Sequence, residues 1–238
     1  MEFYKSIVAV YDYIFPLNIQ QIDFVEDVLE DTNAYNMLEI GCGTGTLTKA
    51  LSKSFKNVEG ADLDAEMVDK ARSKYPELTF KVMDMLKINE FYTENQFDAL
   101  VCFGNTLVHL PNKKTIAEFL RRSLTVLKLE GKLLIQIINY DRVLDQQIKN
   151  LPTIENEHIQ FIRDYELVNG MIEFKTKLMI KSTGEQVINS VDLVPLRKTE
   201  LEILLKETGY SNIRFYGGFN KEPLNEKSIP LVVEAQKY

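Results

Sequence analysis

The chain has 238 residues, 45% of them hydrophobic, enough to bury one main core with a smaller appended element and without a stapling disulfide or metal. Lysine and arginine number 28 against 35 acidic residues, and the net charge of −7 repels polyanions, so a nucleic-acid ligand is disfavoured. Cys42 and Cys102 are too few for a disulfide framework and fit a reducing, cytoplasmic compartment, while His109 and His158 lack partners at zinc spacing, so no metal is expected.

The longest basic clusters, Lys113 with Lys114 and Arg121 with Arg122, fall on a predicted helix and read as a solvated face. The first residues lack the basic region, apolar stretch and cleavage site of a signal peptide. No uncharged apolar run reaches the roughly 18 to 20 residues of a membrane span, and a soluble protein without membrane contact is expected.

In chain order, residues 16–30 carry Ile19, Ile22, Val25, Val28 and Leu29 at helical spacing, with Pro16 suited to the helix start. Residues 36–40 form a short apolar strand that runs into Gly41-Cys42-Gly43-Thr44-Gly45-Thr46, after which Leu47, Ala50, Leu51 and Phe55 mark one helical face. A second unit pairs a strand at 57–63 with a helix at 65–75 opened by Asp64 as N-cap, and a third strand spans 78–83. The nearly unbroken apolar run 97–103 predicts a central strand covered on both faces. A helix over 113–128 follows, with Gly131 as its C-terminal cap, then a fifth strand at 132–139. This alternation implies parallel strands joined by right-handed crossovers, an α/β fold.

From residue 141 to 196 the rhythm changes. Three stretches with partial period-two alternation are separated by Asn169-Gly170 and by Ser182-Thr183-Gly184, which predicts a three-stranded antiparallel meander. A helix at 199–208, capped by Gly209, and strands at 213–216 and 229–236 complete the chain. The expected organisation is a core of residues 1–140 and 197–238 with an antiparallel insertion at 141–196, serving as a substrate lid or as the interface of a homodimer.

The three alternate glycines at 41, 43 and 45 sit between a strand and a helix, where glycine permits positive φ and close backbone approach and the helix start offers free N–H groups. A nucleotide-like ligand is expected there. The dinucleotide fingerprint G-x-G-x-x-G fails, because its last position falls on Thr46 or Thr48, and no Gly-Lys-Ser/Thr follows as a phosphate-binding loop requires. A merely structural turn is the alternative.

With its acidic residue and G-x-G-x-G, the segment Glu39-Ile40-Gly41-Cys42-Gly43-Thr44-Gly45 resembles the first motif of the class I S-adenosylmethionine-dependent methyltransferases. The resemblance covers most of the chain outside the antiparallel insertion. It implies a Rossmann-like, seven-stranded, mostly parallel sheet with helices on both faces, and S-adenosylmethionine as cofactor. It further implies that Glu39, Gly41, Cys42, Gly43 and Gly45 surround the methionyl part. Asp62 lies 19 residues after Gly43, where a carboxylate accepts both ribose hydroxyls, and Leu63 would cover the adenosine. Asp84 and Met85 match the adenine site, with a turn carboxylate and core packing as their plainer readings. Phe103 joins the cofactor set.

The segment from Cys102 to Leu110 resembles the C-x-G-N-S-x-x-H-L stretch of the glycine N-methyltransferase-like branch, with Thr106 in place of serine. The Asn/Asp-Pro-Pro-Tyr/Phe motif of methyltransferases that modify nucleobases and protein glutamine is absent. Three residues are candidates for the chemistry. His109 titrates near neutrality and would serve as base, or else is a packed, hydrogen-bonded residue. Asn105 would orient cofactor or acceptor, or shape a turn. Tyr11, in a Y-D-x-x-x-P segment that related enzymes fold over the cofactor, would stabilise the sulfonium, or pack in the core with Tyr4, Tyr13 and Phe15. Arg163, Tyr165 and Arg197 are candidates for an anionic acceptor, against a solvated role on the outer face of the meander. The expected function is N- or O-methylation of a small molecule. Methylation of a protein or RNA with a partner's help, and a cofactor-binding regulator without turnover, are the alternatives.

Overall fold

Residues 36–40 carry apolar side chains on both sides, as a strand covered by helices above and below requires, and form β1 (Asn36–Ile40). The computed structural model describes residues 2–30 and 36–238. Parallel to β1 run β2 (Asn57–Asp62), β3 (Thr79–Val82), β4 (Phe97–Cys102) and β5 (Leu127–Ile138). A separate antiparallel sheet follows, of β6 (Asn150–Glu155), β7 (Ile159–Val168), β8 (Met171–Ile180) and β9 (Gln186–Leu193). The chain then returns to the first sheet as β10 (Tyr210–Tyr216) and β11 (Pro230–Lys237), giving the order β10-β11-β5-β4-β1-β2-β3 with β11 antiparallel to both neighbours. The Rossmann-like, seven-stranded, mostly parallel sheet expected from sequence is present.

Helices cover both faces. On one, α1 (Ile19–Leu29) and α2 (Thr46–Leu51) bury Phe24, Val25, Leu47 and Leu51 against Met37, Val101 and Leu134. After α3 (Ala65–Lys74), the opposite face is covered by α4 (Lys113–Val126) and, beyond the short α5 (Tyr140–Asp145), by α6 (Lys198–Thr208); Phe119, Leu120, Leu201 and Leu205 meet Leu38, Leu100 and Ile135 there. Neighbouring residues of one strand thus serve opposite cores, the period-two logic of a doubly covered sheet. Asp64 caps α3 as expected, accepting the Glu66 and Met67 N–H groups. The first helix starts at Ile19 and not at Pro16, because the Asn18 side chain accepts the Gln20 N–H and defines the cap.

Two further expectations need correction. Gly131 is not a helix cap but lies inside β5, which already begins at Leu127. A Cβ on Gly131 would meet the Lys128 carbonyl at 2.8 Å and the Asp98 carbonyl at 3.2 Å, and the β4–β5 register shifts beside it, so the glycine serves a close backbone approach at an irregular pairing. The antiparallel element has four strands and not three. The missed strand, β6, contains Pro152 and lies at the sheet edge, where proline is tolerated and the strand pattern is weak. The turn between β7 and β8 is as expected, with Asn169 and Gly170 at φ of 50° and 80°, a left-handed pair that matches strand twist.

An N-terminal strap joins the two sheets. Ile7, Val10 and Ile14 are buried between Met67 of α3 and Ile159, Phe161 and Leu178 of the antiparallel sheet. Among the described residues, no helix is long and apolar enough to cross a membrane.

Gly45 opens α2 with φ of 78°, and an added Cβ would meet the Phe80 ring at 2.6 Å and Ala71 at 3.1 Å. This glycine makes room for protein. Gly45→Ala is expected to lower the unfolding free energy by about 2–4 kcal/mol, the sum of left-handed backbone strain and overpacking. Urea unfolding without any ligand measures it, and a loss below about 0.5 kcal/mol would contradict the packing account.

Candidate active site

β1 and β4 are neighbours, but the chain leaves them toward opposite edges of the sheet, which opens a crevice at their carboxyl ends. Two cavities lie there, of about 770 Å³ and about 160 Å³, and Tyr4, Tyr11, Gly41, Gly104 and His109 border both. These residues form a wall with a chamber on each side.

The smaller chamber is lined by Asp62, Leu63, Asp84 and Met85, which sequence had assigned to adenosine. At the end of β2, Asp62 accepts the Gly43 N–H on Oδ2 at 2.8 Å and the Asp64 N–H on Oδ1 at 2.9 Å. Burial holds its carboxyl above its ordinary pKa despite these bonds. Leu63 is half exposed over the chamber. Asp84 accepts the Leu86 N–H at 2.9 Å, so the turn role holds while the residue also borders the cavity.

The larger chamber is bordered by Glu39, Cys42, Phe103, Asn105 and Arg163. Glu39, at the core of β1, accepts the Thr48 hydroxyl, and burial pushes its carboxyl up to about 8. Burial likewise raises the Cys42 thiol, which favours a packed over a reactive role. Gly41 and Gly43 have φ of 74° and 52°. The space of their missing side chains is taken by Thr106, at 2.4 Å from an ideal Cβ, and by Tyr11, at 3.0 Å. All three glycines of the motif therefore admit protein neighbours, a use that the sequence pattern did not reveal.

Tyr11 is held over the glycine turn by the residue that follows it. Asp12 accepts the Thr44 hydroxyl, the Thr46 hydroxyl at 3.3 Å and Lys74 Nζ at 2.8 Å. Burial opposes ionisation of Asp12, but the Lys74 and Thr44 bonds prevail and keep its carboxyl below its ordinary value.

His109 contacts Tyr4, with Nε2 at 2.9 Å from the hydroxyl and the rings edge to face, and its Nδ1 is buried without a partner. Burial lowers its pKa to about 4, so the ring is neutral at neutral pH. The Asn105 amide is occupied by protein: Oδ1 accepts the Ile138 N–H at 2.9 Å and Nδ2 donates to the Tyr140 hydroxyl at 3.1 Å. Its amide thus holds the turn after β4, the plainer of the two expected roles, while the residue borders the larger chamber.

The two arginines part company. Arg197 borders neither chamber, and its guanidinium is paired with Asp141 at 2.9 Å and Asp145 at 2.8 Å, so the expectation that it binds an acceptor is corrected. Arg163 lines the larger chamber beside Tyr165. One of its nitrogens donates to the Pro152 carbonyl, Nε is buried without a partner, and no carboxylate pairs with it among the described residues. Sequence reasoning missed Gln136, which borders the same chamber; its signal is a single amide inside the apolar run LLIQII.

Glu39 ordinarily titrates near 4.5 and in the fold near 8, so between these values the folded chain keeps a proton that the unfolded chain has lost. Stability from this group therefore falls as pH rises from about 5 to 8. Without cofactor, the Tm of Glu39→Gln relative to wild type is expected to rise by roughly 10 °C over that interval, from about 3.5 kcal/mol of linkage at about 2–4 °C per kcal/mol for a chain of this size. A Tm difference that stays constant with pH, measured by scanning calorimetry, would contradict it.

Residues 37–131 match a methyltransferase domain family. The glycine/sarcosine N-methyltransferase of Aphanothece halophytica is 27% identical over 208 residues, 84% of this chain and 75% of that protein. An S-adenosylmethionine-dependent methyltransferase from Clostridium acetobutylicum superposes with a TM-score of 0.83 at 16% identity, covering 98% of each chain. An amino pentose methyltransferase from Micromonospora echinaspora, solved with S-adenosylmethionine bound, superposes with a TM-score of 0.78 at 17% identity, covering 97% of this chain and 95% of that one. Residues 37–131 thus carry a methyltransferase domain, and the chain is similar over most of its length to S-adenosylmethionine-dependent methyltransferases, whose fold it shares.

Proposed function

We propose that this methyltransferase acts on the amine nitrogen of a small molecule that carries an anionic group. The observation that carries the reading is Arg163, a partly buried guanidinium at the larger chamber with no carboxylate partner among the described residues. A charge withdrawn from water without a counter-ion is costly, and a bound anion supplies the counter-ion. Both relatives fit the amine, one being named for glycine and sarcosine N-methylation and the other for an amino pentose, and the first also fits the anion, since glycine and sarcosine carry a carboxylate.

The cofactor, when bound, supplies an electrophilic methyl carbon on a sulfonium. In this reading the smaller chamber holds the adenosine. Asp62 uses one lone pair per oxygen on main-chain N–H groups and retains others for two ribose hydroxyls. Asp84 and Met85 face the adenine, and Glu39, Gly41, Cys42, Gly43 and Phe103 line the path of the methionyl part. The transfer then takes place at the wall of Tyr4, Tyr11, Gly104 and His109, where both chambers meet. Alignment supplies most of the acceleration for such an in-line displacement.

An amine is favoured over a hydroxyl because a strong base is lacking at the wall. A hydroxyl must lose its proton during transfer, whereas His109, with a pKa of about 4, is a weak acceptor of one. An amine arrives as its free base. The antiparallel sheet, which supplies Arg163, Tyr165 and Phe174 to the chamber, acts as the acceptor lid of the 141–196 insertion. Two buried free thiols fit the cytoplasm.

Calorimetry is expected to show binding of S-adenosylmethionine and S-adenosylhomocysteine but not NAD, with about 10- to 100-fold weaker adenosyl binding in Asp62→Ala from the loss of charge-assisted bonds. NAD binding without adenosyl binding would overturn the cofactor placement. A panel of glycine, sarcosine, glycinamide and an amino sugar, read by S-adenosylhomocysteine release, tests the acceptor. Carboxylated amines are expected to outpace glycinamide, and Arg163→Met to raise their KM by about 10- to 100-fold with little change in kcat. Equal turnover of glycine and glycinamide, or a wild-type KM in Arg163→Met, removes the anion from the reading.

A further inference from the structure

Gln136 is 9% exposed and interrupts an apolar strand, a placement that is costly unless its amide is hydrogen-bonded. Its acceptor half is satisfied by the Gly104 N–H, at 2.9 Å from Oε1. The main-chain carbonyl of the same residue accepts the Asn105 N–H at 3.1 Å. One residue of β5 thus grips two successive amides of the turn after β4.

Those two residues are both left-handed, Gly104 at φ of 70° and Asn105 at φ of 66°. Asparagine tolerates this conformation better than most side chains but still requires its surroundings to impose it. The Asn105 bond to the Ile138 N–H is the third stitch to the same strand. The turn has a consequence for both chambers, because Gly104 borders each of them. The donor half of the Gln136 amide has no protein partner among the described residues, and the side chain borders the larger chamber.

We propose that Gln136 is a positioning residue for methyl transfer, whose Oε1 holds the Gly104–Asn105 turn in the left-handed form that builds the wall between the chambers. The inference rests on the proposed location of the transfer at that wall. Glutamine suits the role because it reaches the turn from a neighbouring parallel strand and brings no charge into the core. A β5 residue without an acceptor oxygen removes the protein partner of the Gly104 N–H at the chamber wall, and the turn then relaxes toward ordinary backbone angles.

The test compares Gln136→Leu, which keeps the bulk and removes Oε1, with Gln136→Glu, which keeps an acceptor oxygen at the same reach. In Gln136→Leu, hydrogen exchange at Gly104 and Asn105 is expected to quicken about fivefold to tenfold, as loss of one part-buried bond implies. S-adenosylhomocysteine affinity is expected to fall about fivefold, and kcat about tenfold with acceptor KM changed less than about threefold. Gln136→Glu is expected to restore exchange and S-adenosylhomocysteine affinity to within about twofold of wild type. Wild-type exchange and affinity in the leucine variant overturn the inference, and so do losses that glutamate does not restore, since an acceptor oxygen at that reach is then not what the turn requires. Exchange and S-adenosylhomocysteine binding need no acceptor, so they decide the matter even where no amine of the panel is methylated, a result that would count against the proposed function instead.

Discussion

The carboxylate of Asp62, gripped by the N–H groups of Gly43 and Asp64, is the constraint on which the site depends. Around it three turns meet. Gly41 and Cys42 donate to the Ala61 carbonyl at 2.8 and 3.1 Å, and Met83 donates to the Asp62 carbonyl at 2.8 Å, so the ends of β1, β2 and β3 are tied within a few residues. A glycine turn that had only its own backbone to define it would sample many conformations, because glycine loses more freedom on folding than any other residue. Here the end of the next strand fixes it. The same bonds that organise the turn oppose the burial that raises the pKa of this carboxyl.

The second dependence is the N-terminal strap. Its apolar side chains wedge between α3 and the antiparallel sheet, and its polar contacts reach both ways. Lys70 Nζ donates to the Val8 and Ala9 carbonyls, Asn156 Nδ2 to the Tyr13 carbonyl at 2.9 Å and Asn189 Nδ2 to the Ser6 hydroxyl at 2.7 Å. The strap is therefore how Tyr4 and Tyr11 come to stand between the chambers. It also couples the two sheets, which share no ladder. An acceptor held by the antiparallel sheet and a cofactor held by the parallel one would meet across residues that belong to neither.

Much of this was legible in the chain. Apolar runs such as Phe97–Cys102 and the glycine spacing after β1 report covering on both faces and a tight turn, which are local consequences of backbone sterics. Positions that depend on partners far away in sequence were not. Gly131 carries the same signal at a helix end and at a crowded strand pairing, and only the neighbouring carbonyls decide between them. Arg163 and Arg197 look alike in sequence, yet Asp141 and Asp145 neutralise one and leave the other facing the cavity. Asn105 was legible as important but not as to why, since its amide is claimed by Ile138 and Tyr140, more than 30 residues on. Gln136 was overlooked because one amide in an apolar strand reads as an imperfection until its partner is seen.

The chambers differ in electrical character, and this bears on the proposed transfer. Asp62 and Asp84 face the smaller one, proposed for the adenosine, while the larger one, which also meets Glu39, has Arg163, which suits an anionic acceptor. Between them the wall carries no formal charge, since Tyr4 and Tyr11 are phenols raised by burial and His109 is neutral. Methyl transfer from a sulfonium to an amine disperses a positive charge that begins on one atom, and a neutral wall of low polarity assists dispersal where water would oppose it. A histidine with the ordinary pKa near 6.5 would carry a like charge there in mildly acid conditions and repel the methyl carbon as it crossed. Burial beside Tyr4 keeps that proton off the ring, so in the proposed transfer the feature that makes His109 a poor base would also leave the crossing open.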